Sequence, residues 1–192
     1  MYNNSIMIPT DTQVEELWDR YNLPEQKRIH VTLVARVAVF LGNRLNIRFS
    51  EDIKISEQKI NLKLLEAAAL LHDIDKAIPT LPGERHPDAG VRILREEGMD
   101  EVADVVMTHP LHAILDPKIS PKTREQKLMY LADKMVKYDI VGVDKRFALW
   151  NGEHLPSDAQ KILDACYPKV KKLEQEVFTL AGISLDDLVK LA

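Results

Sequence analysis

Glycine is scarce, at 7 of 192 residues, and no strand-like alternation punctuated by hairpin turns runs along the chain. That leaves little room for a β architecture. There is one cysteine, Cys166, so no disulfide framework exists, and an apolar helical setting marks it as a buried structural thiol in a reducing compartment. A basic surplus is also missing. The net charge is −4, which gives no electrostatic footprint for a nucleic-acid polymer. No apolar run approaches the length of a membrane span, and the first five residues lack the basic and apolar regions of a signal peptide. These absences point to a cytoplasmic protein with neither a membrane nor a nucleic-acid chain as partner.

What is present is helix-forming. Apolar residues make up 45% and charged residues 29%, an ordinary globular balance. We expect one all-α domain over 1–192, with an N-terminal helix at 11–21, a core at 24–150 and a C-terminal helical extension at 157–192. Thr12-Gln13-Val14-Glu15 predicts a capping box after a lead-in over 1–10. A second helix over 24–45 carries Ile29, Leu33, Val37, Phe40 and Leu41 at helical spacing, with His30 in line with Val34, Val37 and Leu41. Residues 46–59 read as a loop. Asn61 caps a third helix whose apolar run over 64–71 leads into His72 and Asp73.

Helices over 87–97 and 100–108 follow, the first stopped by Gly98. His86 precedes the one and His109 ends the other. Residues 110–120 read as a loop, and Ser120-Pro121 predicts the start of a helix to 138 that carries Asp133. A short helix around Phe147 to Trp150 comes next. Ser157 opens a long helix to 180, with Ile162, Leu163, Cys166, Val170, Leu173 and Val177 inward, and Ser184 opens a short last one. The loops at 46–59, 77–86 and 110–120 are expected to wall a pocket.

The chemistry concentrates on Leu70-Leu71-His72-Asp73-Ile74-Asp75-Lys76. A buried helix delivers an imidazole and a carboxylate together, and a buried carboxylate needs a partner or a metal. Nitrogen and oxygen donors in one set suit Fe, Mn, Co, Ni or Zn better than Ca. His30 and Asp133 lie at the margins of apolar stripes and complete a set of four. His86 and His109 sit at helix boundaries and offer a second ion position with Asp73 as bridge, the two-ion arrangement that suits phosphoryl chemistry. Lys76, less than a turn beyond, is the cation expected at a phosphate. For Arg85, Arg95 and Arg146 ordinary ion pairs are expected, and for Trp18 and Trp150 packing. His112 and His154 read as surface residues.

His30, His72-Asp73, His86, His109 and Asp133, in that order, resemble the HD-domain superfamily, in the branch with two extra histidines. The resemblance runs from about 27 to 150. His86-Pro87-Asp88-Ala89-Gly90 and Tyr130-Leu131-Ala132-Asp133-Lys134 carry it along with residues 70–76. Bacterial HD-type enzymes that split diadenosine tetraphosphate symmetrically belong to that branch. The resemblance implies an HD-type helical bundle holding two divalent metal ions (Mg also possible). It further implies hydrolysis of a phosphoester or phosphoanhydride, with a small phosphorylated substrate such as a nucleotide and a metal-activated water. Rival readings are a di-iron oxygenase of the same superfamily and a non-catalytic nucleotide-binding module. Asp75 departs from the pattern, since these relatives carry a small residue there; it reads as a partner to a ligand histidine or as a general base.

Overall fold

The computed structural model describes residues 7–51 and 59–191. Among the described residues are nine α-helices and one 3-10 segment; an isolated bridge between Val136 and Ile140 is the only β pairing. The class is all-α, as expected. Parts of the expected lead-in (1–6) and loop (52–58) lie outside the described residues.

Helix α1 (Asp11–Arg20) starts before the expected cap. Thr10 caps it, and Gln13 answers with its side chain on the Thr10 N–H at 2.9 Å. Two overlapping sequences satisfy the box pattern; the earlier one adds Asp11 to the first turn, where the helix dipole favours a carboxylate.

Helix α2 (Glu25–Glu51) is the axis of the fold and outruns its expected end at 45. Two contacts extend it: Phe49 is buried, and Asn46 pairs with the Ile60 backbone, donating at 3.0 Å and accepting at 2.8 Å. Val31, Val34, Val37, Ala38 and Leu41 are buried on the face that carries His30. Ile29, expected inward, is exposed, because the buried stripe runs one position later.

Helix α3 (Leu62–Leu71) is capped by Asn61, as expected, and Trp18 Nε1 donates to Leu70 O at 2.9 Å, tying α1 to its end. Beyond Leu71 the chain winds more tightly. Ile74, Lys76 and Ile78 donate their N–H groups to the carbonyls of Leu71, Asp73 and Asp75, each three residues back. In such winding, residues three apart share a face. His72 therefore aligns with Asp75, and Asp73 with Lys76.

Helices α4 (Asp88–Glu96) and α5 (Asp100–Val106) meet at Gly98, whose φ of 77° is glycine's territory. The expected loop at 110–120 contains a 3-10 segment, Leu111–Leu115. Helix α6 (Arg124–Asp133) is shorter than expected at both ends. Thr123 rather than Ser120 caps it, since Gln126 completes a box only with Thr123, and it stops on Asp133 rather than at 138. Helices α7 (Gly142–Asn151), α8 (Ser157–Ala181) and α9 (Leu185–Val189) close the chain. Ile162 faces solvent instead of the core, while Leu163, Cys166, Val170 and Val177 are buried.

The core forms where α2 packs along α3, α6 and α8. Truncating a fully buried leucine of this kind costs about 2–5 kcal/mol. Among the described residues no helix is long and apolar enough to cross a membrane.

Candidate metal centre

Three helices end at one place. α3 stops before His72, α5 stops before His109, and α6 stops on Asp133, while His30 comes from the first turns of α2. Helix C-termini carry unpaired carbonyls and partial negative charge, so a cation is favoured where they meet. Two histidines exploit those carbonyls. His72 Nδ1 donates to Ala69 O at 2.8 Å and His109 Nδ1 donates to Val106 O at 2.6 Å, each three residues back. His30 Nδ1 donates to Lys137 O at 3.2 Å, in the turn after α6. A carbonyl oxygen only accepts, so in each ring Nδ1 carries a hydrogen, and in the neutral ring the lone pair is on Nε2. The fourth ring, His86, turns Nδ1 to the Asp75 carboxylate, at 2.8 and 3.1 Å from its two oxygens.

The four Nε2 atoms then converge with two carboxylates. Asp133 Oδ1 lies 3.1 Å from His30 Nε2 and 3.5 Å from His72 Nε2. Asp73 Oδ1 lies 3.9 Å from His72 Nε2 and 3.5 Å from His86 Nε2. His86 and His109 bring their Nε2 atoms to 2.7 Å, a contact two lone pairs do not make without a proton or a cation. His72 Nε2 is buried with no hydrogen-bond partner, a loss of about 1–3 kcal/mol that a metal ion removes.

The residues present therefore fit a divalent metal. One donor group is His30, His72 and Asp133; another is His72, Asp73 and His109, each with ligand atoms within 4.8 Å of one another. All six expected ligand positions come together. His72 belongs to both groups, and His86 joins through His109 and Asp73.

The charge states of Asp133, Asp73 and His109 suit the same purpose, while His72 leans the other way until a cation replaces its proton. Burial works against ionised Asp133, but Lys134, His30 and His72 outweigh it and hold the carboxyl well below the usual range. Asp73 is likewise depressed: burial is overcome by His72, Lys76 and Lys27. Burial, with His72, His86 and Lys134 nearby, pushes His109 well below an ordinary imidazole and so keeps its lone pair free. For His72 burial opposes the charged form, yet Asp73 and Asp133 raise it.

Two cations escaped the sequence reading. Lys134 is buried, donates to His109 O at 2.6 Å and pairs with Asp133. Lys27 Nζ donates to Asp73 Oδ2 at 2.8 Å. Position next to Asp133 was the signal available for Lys134; for Lys27 the signal was its place one turn before His30 on the same helix. Lys76 lies 3.5 Å from Asp73 Oδ1.

A cavity of about 660 Å³ opens over the site, lined by every ligand residue but the buried His72 and by Lys27, Lys76, Lys134, Lys137 and Arg146. Residues 110–112 form part of its wall, as expected, but of 77–86 only His86 does and 46–51 do not; Pro24 and Gln26, at the start of α2, take that place. His112 is exposed and lines the cavity. Arg95 makes the expected ion pair, with Asp104 at 3.2 Å. Arg146 departs from expectation. It stacks 4.0 Å over the Trp150 ring, and two of its guanidinium nitrogens are buried without an acceptor. Trp150 is thus a cavity wall as well as packing.

Fold and site together define an all-helical protein with a convergent His/Asp donor set. The family model described as HD domain matches residues 28–137, more than half of the chain. The chain belongs to the HD-domain family, a family of metal-dependent phosphohydrolases that also has non-catalytic members. It is similar to a tRNA (cytidine(56)-2'-O)-methyltransferase of Picrophilus torridus, 27% identical over 140 residues, covering 67% of this chain and 38% of that protein. It is also similar to Ribonuclease Y of Desulfotalea psychrophila, 28% identical over 146 residues, covering 65% of this chain and 28% of that protein. The chain thus spans well under half the length of the curated relatives it matches. No solved structure matches.

Proposed function

We propose that the chain is a metal-dependent hydrolase of a phosphoester or phosphoanhydride, with a nucleotide as the substrate. One observation carries the reading. Four imidazoles have their Nδ1 edges committed to acceptors, so four Nε2 edges and two carboxylates face one another beneath an open cavity. His30, His72 and Asp133 would hold one divalent transition ion, His86 and His109 a second, with Asp73 shared. When bound, such ions supply a Lewis acid and an acidified water.

The remaining work falls to the chain's own groups. Asp73 turns Oδ1 toward both halves of the site while Lys27 holds Oδ2, which suits it to steer the attacking water. Lys76 and Lys27 line the cavity beside Asp73 and offset charge on phosphoryl oxygens. Arg146, stacked and lacking an acceptor, offers its guanidinium to a further anionic group of the substrate. A cavity of about 660 Å³ matches the size of small-ligand sites. The net charge of −4 favours a small phosphorylated substrate over a nucleic-acid chain.

The test is elemental analysis of the purified protein, followed by turnover of a nucleotide and phosphoester panel with Mn, Fe, Co, Ni, Zn and Mg. Short RNA is included because one relative bears the name of a ribonuclease. Metal-dependent phosphate release is expected, and Asp73→Ala should lose both the metal and about 10²- to 10³-fold in turnover, the scale of removing a preorganised electrostatic contact. An Asp73→Ala protein with full metal content and full turnover overturns the reading. Oxygen consumption in place of phosphate release would identify the oxygenase chemistry instead.

A further inference from the structure

We propose that Asp75 is a positioning residue that fixes the ring form and direction of His86, and thereby builds a second divalent-cation position distinct in strength from the first. The inference rests on the metal-centre reading above. Its basis is the one asymmetry among the four imidazoles. His30, His72 and His109 have Nδ1 held by backbone carbonyls. His86 precedes α4, where no helix end offers a carbonyl, and a side chain serves instead.

That side chain is buried to a degree unusual for a carboxylate: Asp75 is 3% exposed, against 31% for the His86 ring it holds. Both Asp75 oxygens approach the same Nδ1, and among the described residues it pairs with no lysine or arginine. Gly90 in the first turn of α4 lies over it: a Cβ there would stand 3.5 Å from Asp75 Cγ. A buried carboxylate whose one side-chain partner is an imidazole is costly unless charge reaches it through the ring. A cation at Nε2 supplies that charge, and the carboxylate in return strengthens the ring as a donor. The i to i+3 winding after α3 puts Asp75 on the His72 face and so aims it at this site.

The test is calorimetric titration of chelator-stripped protein with Mn²⁺, alongside ¹H–¹⁵N spectra of the imidazoles. Wild type should take up two equivalents and show His86 with its hydrogen on Nδ1. Asp75→Leu should keep the tighter step unchanged and weaken the second roughly 10- to 100-fold, the usual cost of losing a ligand's orienting partner. Its His86 should also lose the fixed ring form. Asp75→Asn, which can still accept from Nδ1, should keep that form and recover most of the second step. It also supplies the answer if the leucine variant fails to fold, as judged by its melting curve. His86→Ala should weaken the second step at least as far as Asp75→Leu, and adding Asp75→Leu to it should cost nothing more. Two undisturbed steps in Asp75→Leu overturn the proposal and leave the metal reading standing. A wild-type protein that takes up no ion overturns both.

Discussion

The two halves of the site present the same chemistry on different supports. In the first, His30, His72 and Asp133 come from helices or their ends, and the fixing groups are the carbonyls of Lys137 and Ala69 with the ammonium of Lys134. Lys134 is 3% exposed. In the second, His86 comes from the segment ahead of α4 and leans on Asp75, and the cations beside Asp73 are Lys27 and Lys76, at 39% and 29% exposure. Both halves line the cavity and each holds a buried histidine, His72 or His109, but the cation of the first is buried while His86 and the lysines of the second are open to solvent. The Lys134 side should therefore contribute more to holding the protein together, and the His86 edge should be freer to be tuned.

The largest effect that would break this comparison concerns the two lysines. Removing Lys134 leaves Asp133 and the His109 carbonyl buried without their cation. Lys134→Met should cost about 3–5 kcal/mol, the penalty for splitting a buried pair. Lys27→Met removes a partner that solvent already screens and should cost less than about 1 kcal/mol. Urea denaturation of metal-free protein gives both numbers. Equal losses would mean that the halves do not differ in their tie to the core.

The sequence exposed this site unevenly, and the reason is physical. Ligand side chains are legible because His, Asp and their order along the chain are letters in the sequence. Three of the four groups that orient the imidazoles are backbone carbonyls, which every residue carries, so nothing in Ala69, Val106 or Lys137 announces the role. Asp75 could be suspected because it is the one orienting group made of a side chain. Helix existence was legible from spacing, while several ends were not. Thr10 and Thr12 both fit a box, Ser120 and Thr123 both look like caps, and side-chain pairing decided each case. Ile29 and Ile162 were misplaced for a related reason: periodicity defines a stripe only to within one neighbour, and packing selects which side is covered.

Acid should sharpen the comparison with a smaller effect. Asp133 and Asp73 are both depressed in the folded state, so the stability they contribute is present above the ordinary carboxylate range near ~4 and is lost as pH falls through their folded values. The imidazoles act in a higher window and oppose each other. His72 is raised, so its contribution is complete below ~6.5 and lost as pH rises through its folded value. His109 is lowered, so its contribution is present above ~6.5 and lost as pH falls below it. The carboxylates' limb opens below pH ~4, on top of the loss that His109 brings from ~6.5 downward. Urea midpoints of metal-free protein at successive pH values should show it, and Asp133→Asn should flatten it. An unchanged limb in that variant would remove Asp133 from the account.

The smallest effect concerns Cys166, in α8 behind the cavity wall. Its Sγ donates to Leu111 O at 3.3 Å, a carbonyl that Tyr130 also reaches at 2.8 Å. Burial pushes the thiol up to about 11, so almost no thiolate exists at neutral pH. Iodoacetamide at pH 8 should leave the folded protein unmodified and react only as the molecule unfolds. Because the thiol and Tyr130 share one carbonyl beside α6, its alkylation rate should follow global unfolding across a urea series. Lys134→Met should speed it by the factor that matches the stability lost, while Lys27→Met and Asp75→Asn leave it nearly unchanged. Equal acceleration by all three would place the His86 half in the same cooperative unit as the core and erase the distinction drawn between the supports.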